Sequence, residues 1–163
     1  MVMTNHRFIL RRNWIGTGGT VNFIMLNPST ADDVFDDPTI RRCVGYAKTW
    51  GFSALAVTNL FAFRATDPRE LKSAIKRGGL ELAVGPDNDP TLLAVARESQ
   101  AVVCAWGDHG AISCRADAVT TLLAEFDLGC IRRSVRGFPV HPVRERYTSA
   151  PEVFRIAQRA AAV

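Results

Sequence analysis

The chain has 163 residues, 47% hydrophobic and 22% charged, the ordinary make-up of a soluble globular domain, read as one unit over 1–163. No apolar run approaches the roughly 20 residues of a membrane helix, and the opening MVMTNHRFILRRNW has no apolar stretch before a cleavage site, so no membrane partner, no signal peptide and a cytoplasmic location are expected. A net charge of +4 permits a polyanionic partner without requiring one.

His6–Ile15 reads as a short strand. The glycine cluster Gly16–Gly19 after it is a turn, which predicts a hairpin with the next strand, Val21–Asn27. These glycines precede a strand rather than a helix, so they make a poor phosphate loop. Val21–Asn27 is a buried strand with one polar interruption, Asn22. It stops at Asn27-Pro28, where proline ends ladder pairing, and Ser29-Thr30 follow.

Asp36-Asp37-Pro38 starts a helix, with Ile40, Cys43, Val44 and Ala47 on one face and Gly51 closing it. Ala54–Phe61 is the second buried strand and ends near Asn59. Arg64 follows in a loop, and Asp67-Pro68-Arg69-Glu70 repeats the helix start with Glu70 at the capping-box position; Leu71, Ala74 and Ile75 form the stripe and Gly78-Gly79 the stop. Gly85–Pro90 is a polar loop, and Asp89-Pro90 starts a third helix. Ala101–Gly107 is a third buried strand, about Ala111 to Phe126 a fourth helix, and Cys130–Val135 a fourth strand nearer an edge. Phe138–Pro142 is a rigid loop, and Pro151 opens a last helix to the C-terminus. Buried strands alternating with helices predict an α/β three-layer α-β-α sandwich. Its central sheet is mainly parallel, with about four strands plus an antiparallel N-terminal edge strand.

The four cysteines, Cys43, Cys104, Cys114 and Cys130, have no metal-binding or disulfide spacing and read as small hydrophobes. The Asp87-Asn88-Asp89 triplet lacks the distal glutamate of a calcium loop, so neither metal nor cofactor is expected.

In a parallel sheet the carboxyl ends of the strands converge on one crevice, where ligands bind. Asn27, Pro28, Ser29, Thr30, Asn59, Arg64, Trp106, His141, Pro142 and Arg144 all fall at or after such ends. No acid–base carboxylate pair does. An asparagine can read a nucleobase edge or hold a water, and a histidine can donate a hydrogen bond to a developing oxyanion. Such parts suit cleavage of a bond whose leaving group departs as an anion. Each also has a plainer role: Asn27 as an Asx turn, Asn59 as a strand cap, His141 as an ordered loop residue, Trp106 as core. Arg132, Arg133, Arg136, Arg144 and Arg146 surround the histidine loop, and DNA or a nucleotide is the ligand expected along Arg132–Arg146; a solvated arginine face is the alternative.

The ordered motifs MLNPSTAD, TNLFAFRATDP, GPDND, AWGDHG and the His141-Pro142 segment resemble an uncharacterised bacterial and phage domain family defined by sequence alone. More distantly, Met25–Ser29, Asn59 with Arg64 and Pro68, Trp106-Gly107 and His141-Pro142-Val143 are similar to motifs of the uracil-DNA glycosylase superfamily. That resemblance implies a parallel sheet between helices and hydrolysis of an N-glycosidic bond. Asn27 would position the water, Asn59 read the base edge, His141 stabilise the departing base and Arg144 probe the duplex. Ser29 stands where that family has glycine, and Val143 where it has a phosphate-binding serine.

Overall fold

The computed structural model describes residues 5–158. Its strands are β1 (Leu10–Asn13), β2 (Thr20–Met25), β3 (Ala54–Asn59), β4 (Ala101–Cys104), β5 (Leu128–Cys130) and β6 (Glu152–Arg155). They form one mixed six-stranded sheet of order β1-β3-β2-β4-β5-β6. Strands β3, β2, β4 and β5 are parallel, while β1 and β6 pair antiparallel at the two edges. The helices are α1 (Pro38–Thr49), α2 (Pro68–Gly78), α3 (Leu80–Val84), α4 (Asn88–Glu98) and α5 (Arg115–Leu122). No described helix is long and apolar enough to cross a membrane.

Strand residues alternate between two cores, as the two-residue period of a pleated strand requires. Val21, Phe23 and Met25 of β2, with Leu55 and Val57 of β3, pack against Ile40, Cys43, Tyr46 and Ala47 of α1. Ile24 and Leu26 face the other way, toward Leu71 of α2, Leu92 and Ala96 of α4, and Val119 of α5. Each large side chain buried this fully contributes about 1.5–3 kcal/mol. Asn22 lies on the Ile24 face of β2, fully buried. Its Nδ2 donates to Ala56 O (3.2 Å) and Thr58 Oγ1 (3.1 Å), stitching β2 to β3.

Helix starts largely follow the local chemistry. Asp37 Oδ1 accepts from Ile40 N (2.8 Å), and Asp67 Oδ1 accepts from Arg69 N (2.8 Å). Glu70 accepts from Thr66 N (3.3 Å), one residue beyond the N-cap N–H of a capping box.

Several sequence expectations are corrected. The N-terminal strand is no hairpin partner of β2: it pairs with β3, in the register Leu10↔Val57 to Asn13↔Ala54. The glycine segment passes across the start of β3, with Ser53 N donating to Gly19 O (2.9 Å), and Gly18 so close to Gly51 that a Cβ would collide with the Gly51 carbonyl oxygen. Helix α4 begins at Asn88, and Asp89 does not cap it but pairs with Arg115. The expected helix from about Ala111 to Phe126 is a 3₁₀ segment, Asp108–Cys114, followed by α5, with a kink where Ser113 and Cys114 take φ of 52° and 54°. The fourth core strand is Leu128–Cys130; Arg133 makes only an isolated bridge to Pro139. Pro151 opens strand β6 instead of a helix, because β5 still presents an unpaired edge that β6 closes. The rest of that expected helix, 159–163, lies outside the described residues.

Candidate functional site

A cleft of about 700 Å³ opens at the carboxyl ends of β2, β3 and β4 on the α1 side of the sheet. Of the residues singled out from sequence, Asn27, Pro28, Ser29, Asn59, Trp106, His141 and Arg144 line it. Thr30, Arg64 and Pro142 do not: Thr30 is an exposed loop residue, Arg64 is half-buried outside the lining, and Pro142 is buried.

The turn forced by Pro28 is pinned by Asn27. Its Nδ2 donates to Ala65 O (2.8 Å) and Pro28 O (3.0 Å), while Ala65 N donates to Pro28 O (3.0 Å). Both amide hydrogens are thereby engaged, and no described donor reaches Oδ1, which is left as an acceptor on the cleft wall. Asn59 is fixed differently. The end of its strand is gripped from the opposite face by the fully buried Asn88, whose Nδ2 donates to Asn59 O (2.9 Å) and Leu60 O (3.0 Å), and by Arg115 Nε, which donates to Leu60 O (2.8 Å). The Asn59 side chain, 2% exposed, has no protein partner among the described residues and lines the cleft.

The histidine loop is held by α1. Tyr46 OH donates to Arg146 O (2.8 Å), Trp50 Nε1 to Thr148 O (2.8 Å), and Arg42 Nη2 to Glu145 O, with the Arg42 guanidinium 4.0 Å over the Tyr147 ring. On the other side Gly107, at φ 71°, donates its N–H to Pro139 O (2.9 Å), tying the end of β4 to the same loop. His141 remains solvent-exposed, yet the crowding protein desolvates it and lowers its pKa below the ordinary histidine value, against a smaller upward pull from Asp37. Val143 N donates to His141 Nδ1 (3.3 Å), which assigns the proton of the neutral ring to Nε2. The cleft thus has an acceptor at Asn27, an unpaired carboxamide at Asn59 and a neutral N–H donor at His141.

Trp106 belongs chiefly to the core: it is 2% exposed and meets the Phe154 ring edge-on at 5.9 Å, and its Nε1 is buried without a partner among the described residues. Three carboxylates line the cleft, each already engaged. Asp37 caps α1, Asp108 Oδ1 accepts from Ser134 Oγ (2.7 Å), and Glu145 is held by the Arg132 fork (2.7 and 2.8 Å). Among the described residues no group of three His, Cys, Asp or Glu side chains is placed to hold a metal ion. Arg133 Nη2 donates to Phe154 O and Arg136 lies 3.9 Å from Asp108, so much of the arginine-rich region is paired internally.

Sequence reasoning missed Arg7, Asn88 and Asp108 with Ser134. Arg7 lines the cleft, and the signal available was a charged residue inside the apolar HRFIL run. Asn88 reads in the sequence as part of a polar loop and of the Asp87-Asn88-Asp89 triplet, with nothing to mark it as an anchor for β3.

The chain belongs to the family described as protein of unknown function (DUF1643), whose model matches residues 7–143. That span contains every candidate residue named above except Arg144. No curated protein and no solved structure matches the chain.

Proposed function

We propose that this cleft hydrolyses an N-glycosidic bond, releasing a nucleobase from its sugar, with DNA as the substrate class that the motif resemblance favours. In the same reading the sheet and its flanking helices are a three-layer sandwich of the uracil-DNA glycosylase kind. The observation that carries the proposal is the Asn59 carboxamide, on a residue only 2% exposed and without a protein partner among the described residues, on the wall of a cleft shared with Asn27 and His141. A carboxamide can match the donor–acceptor edge of a base, and one fixed at a rigid strand end with its amide still unengaged by protein loses little freedom when a ligand pairs with it.

The chemistry follows from the unused valences. Asn27 Oδ1 accepts a hydrogen bond from water and orients it toward the sugar carbon, but it takes no proton. The bond to the base therefore breaks ahead of attack, with both bonding electrons leaving on the base. His141 Nε2–H donates to the base as its negative charge develops. Water then bonds to the cationic sugar carbon and loses its proton to solvent or to the departed base. The full chain is tested for free base released from oligonucleotides carrying uracil, mismatched and modified bases. Release that falls about a hundredfold in Asn27→Ala and His141→Ala is expected; no release across the panel sinks the proposal.

A second reading, a nucleotide- or nucleoside-directed protein using the same pocket, is favoured by the internal pairing of Arg132 and Arg133, which leaves less positive surface for a polymer. It is distinguished by thermal stabilisation with nucleotides alongside DNA affinity that is weak and insensitive to salt. Tight, salt-dependent DNA binding without turnover marks a non-catalytic module instead.

A further inference from the structure

Arg7 is 9% exposed and lines the cleft. Its side chain makes one hydrogen bond among the described residues, from Nη1 to Ala31 O in the loop that follows Asn27-Pro28. Its Nε is buried with no partner among the described residues, and no described carboxylate lies within ion-pair distance. Burial first and Arg64 second pull the guanidinium below its ordinary pKa, against a smaller upward pull from Asp37. A side chain that only propped the loop would need one N–H group and no charge. A buried, uncompensated guanidinium is instead a costly arrangement, relieved by an anion. The edge of the fork left over, Nε and Nη2, is the one that can grasp two oxygens of a single phosphate. The Ser29 and Thr66 side chains line the same cleft.

We propose that Arg7 is the anion-recognition residue of the cleft and that its ligand is the terminal phosphate monoester of a nucleotide. The inference rests on the nucleobase reading of Asn59 and sharpens it. A phosphate that reaches a residue so enclosed must be the end of a ligand; an internal phosphodiester has chain running on both sides and stays at the surface. A monoester also carries close to two negative charges at neutral pH, which suits the paired positive field of Arg7 and Arg64.

The test is calorimetric titration of the full chain with uridine, adenosine, their 5′-monophosphates, inorganic phosphate, and an oligonucleotide lacking terminal phosphates. At least one monophosphate is expected to bind about tenfold or more tighter than its nucleoside, with inorganic phosphate competing. Arg7→Met should erase that advantage while leaving nucleoside affinity in place, and Arg7→Lys, which keeps the charge without the fork, should restore part of it. Monophosphates that bind no better than nucleosides overturn the proposal from the unaltered protein alone, whether or not the variants fold. An advantage that survives in Arg7→Met, or an oligonucleotide whose binding depends on Arg7, overturns it as well. Arg7-dependent phosphate binding without base release leaves this inference standing and removes the hydrolase. Base release indifferent to phosphate does the reverse.

Discussion

The end of β3 is treated in opposite ways by the two faces of the sheet. On the α4 and α5 side, its polar groups are closed off: Asn88 and Arg115 take the carbonyls of Asn59 and Leu60 at 2.8–3.0 Å. On the α1 side, the Asn59 side chain lines the cleft with no protein partner among the described residues. One residue is thus anchored through its backbone and left free through its side chain. A polar group held rigid from behind and unsatisfied in front is preorganised for a ligand, since little of its freedom remains to be lost on binding.

The comparison can be broken most forcefully from the sealed side. Asn88→Ala strips a donor from two buried carbonyls and should cost about 2–3 kcal/mol of unfolding free energy, measured by urea denaturation. Asn59→Ala should change stability by less than about 1 kcal/mol, because no protein partner is lost, while removing nucleobase affinity in the same titrations. Equal losses in the two variants would erase the distinction between anchor and reader.

A smaller effect concerns Asp67, which starts α2 beside the cleft residues Thr66 and Pro68. Its bond from Arg69 and the backbone N–H it accepts hold its carboxyl down at about 2, below the ordinary 3.8. A depressed acid contributes stability above its unfolded pKa and loses it as pH falls through the folded value. Asp67→Asn should therefore lower the neutral-pH melting temperature slightly and flatten its decline between about pH 4 and pH 2, so that the two proteins converge in acid. Least perturbing is a thiol count. Cys43, Cys104 and Cys130 are buried, with burial pushing each thiol up, whereas Cys114 is exposed. In the native protein a thiol reagent should label Cys114 alone at an appreciable rate, and all four cysteines after unfolding.

The parallel heart of the sheet was legible because its strands are short apolar runs ended by Asn-Pro, Asn or Gly, and because Asp-Pro marks two helix starts plainly. What escaped reading was pairing at a distance. Nothing in His6–Ile15 says that its partner is β3 rather than the adjacent β2; that choice depends on Gly18 passing against Gly51. Glu152–Arg155 is half-exposed and weakly apolar, so its strand state comes from the open edge of β5 and not from its own propensity. The cleft was half legible. Asn27 and His141 announce themselves beside prolines, while Arg7 and Asn88 gain their roles only from neighbours far along the chain.

The pairing of β1 with β3 also bears on how the polypeptide is made. A chain released from its N-terminus first exposes Leu10 before Val57, its opposite number, has been synthesised. Until then the guanidinium of Arg7 and the apolar side of β1 stay in water, and the pocket has no back wall. The cavity is completed only later, once Trp106 and the His141 loop have also emerged, which ties ligand capture to a late stage of translation.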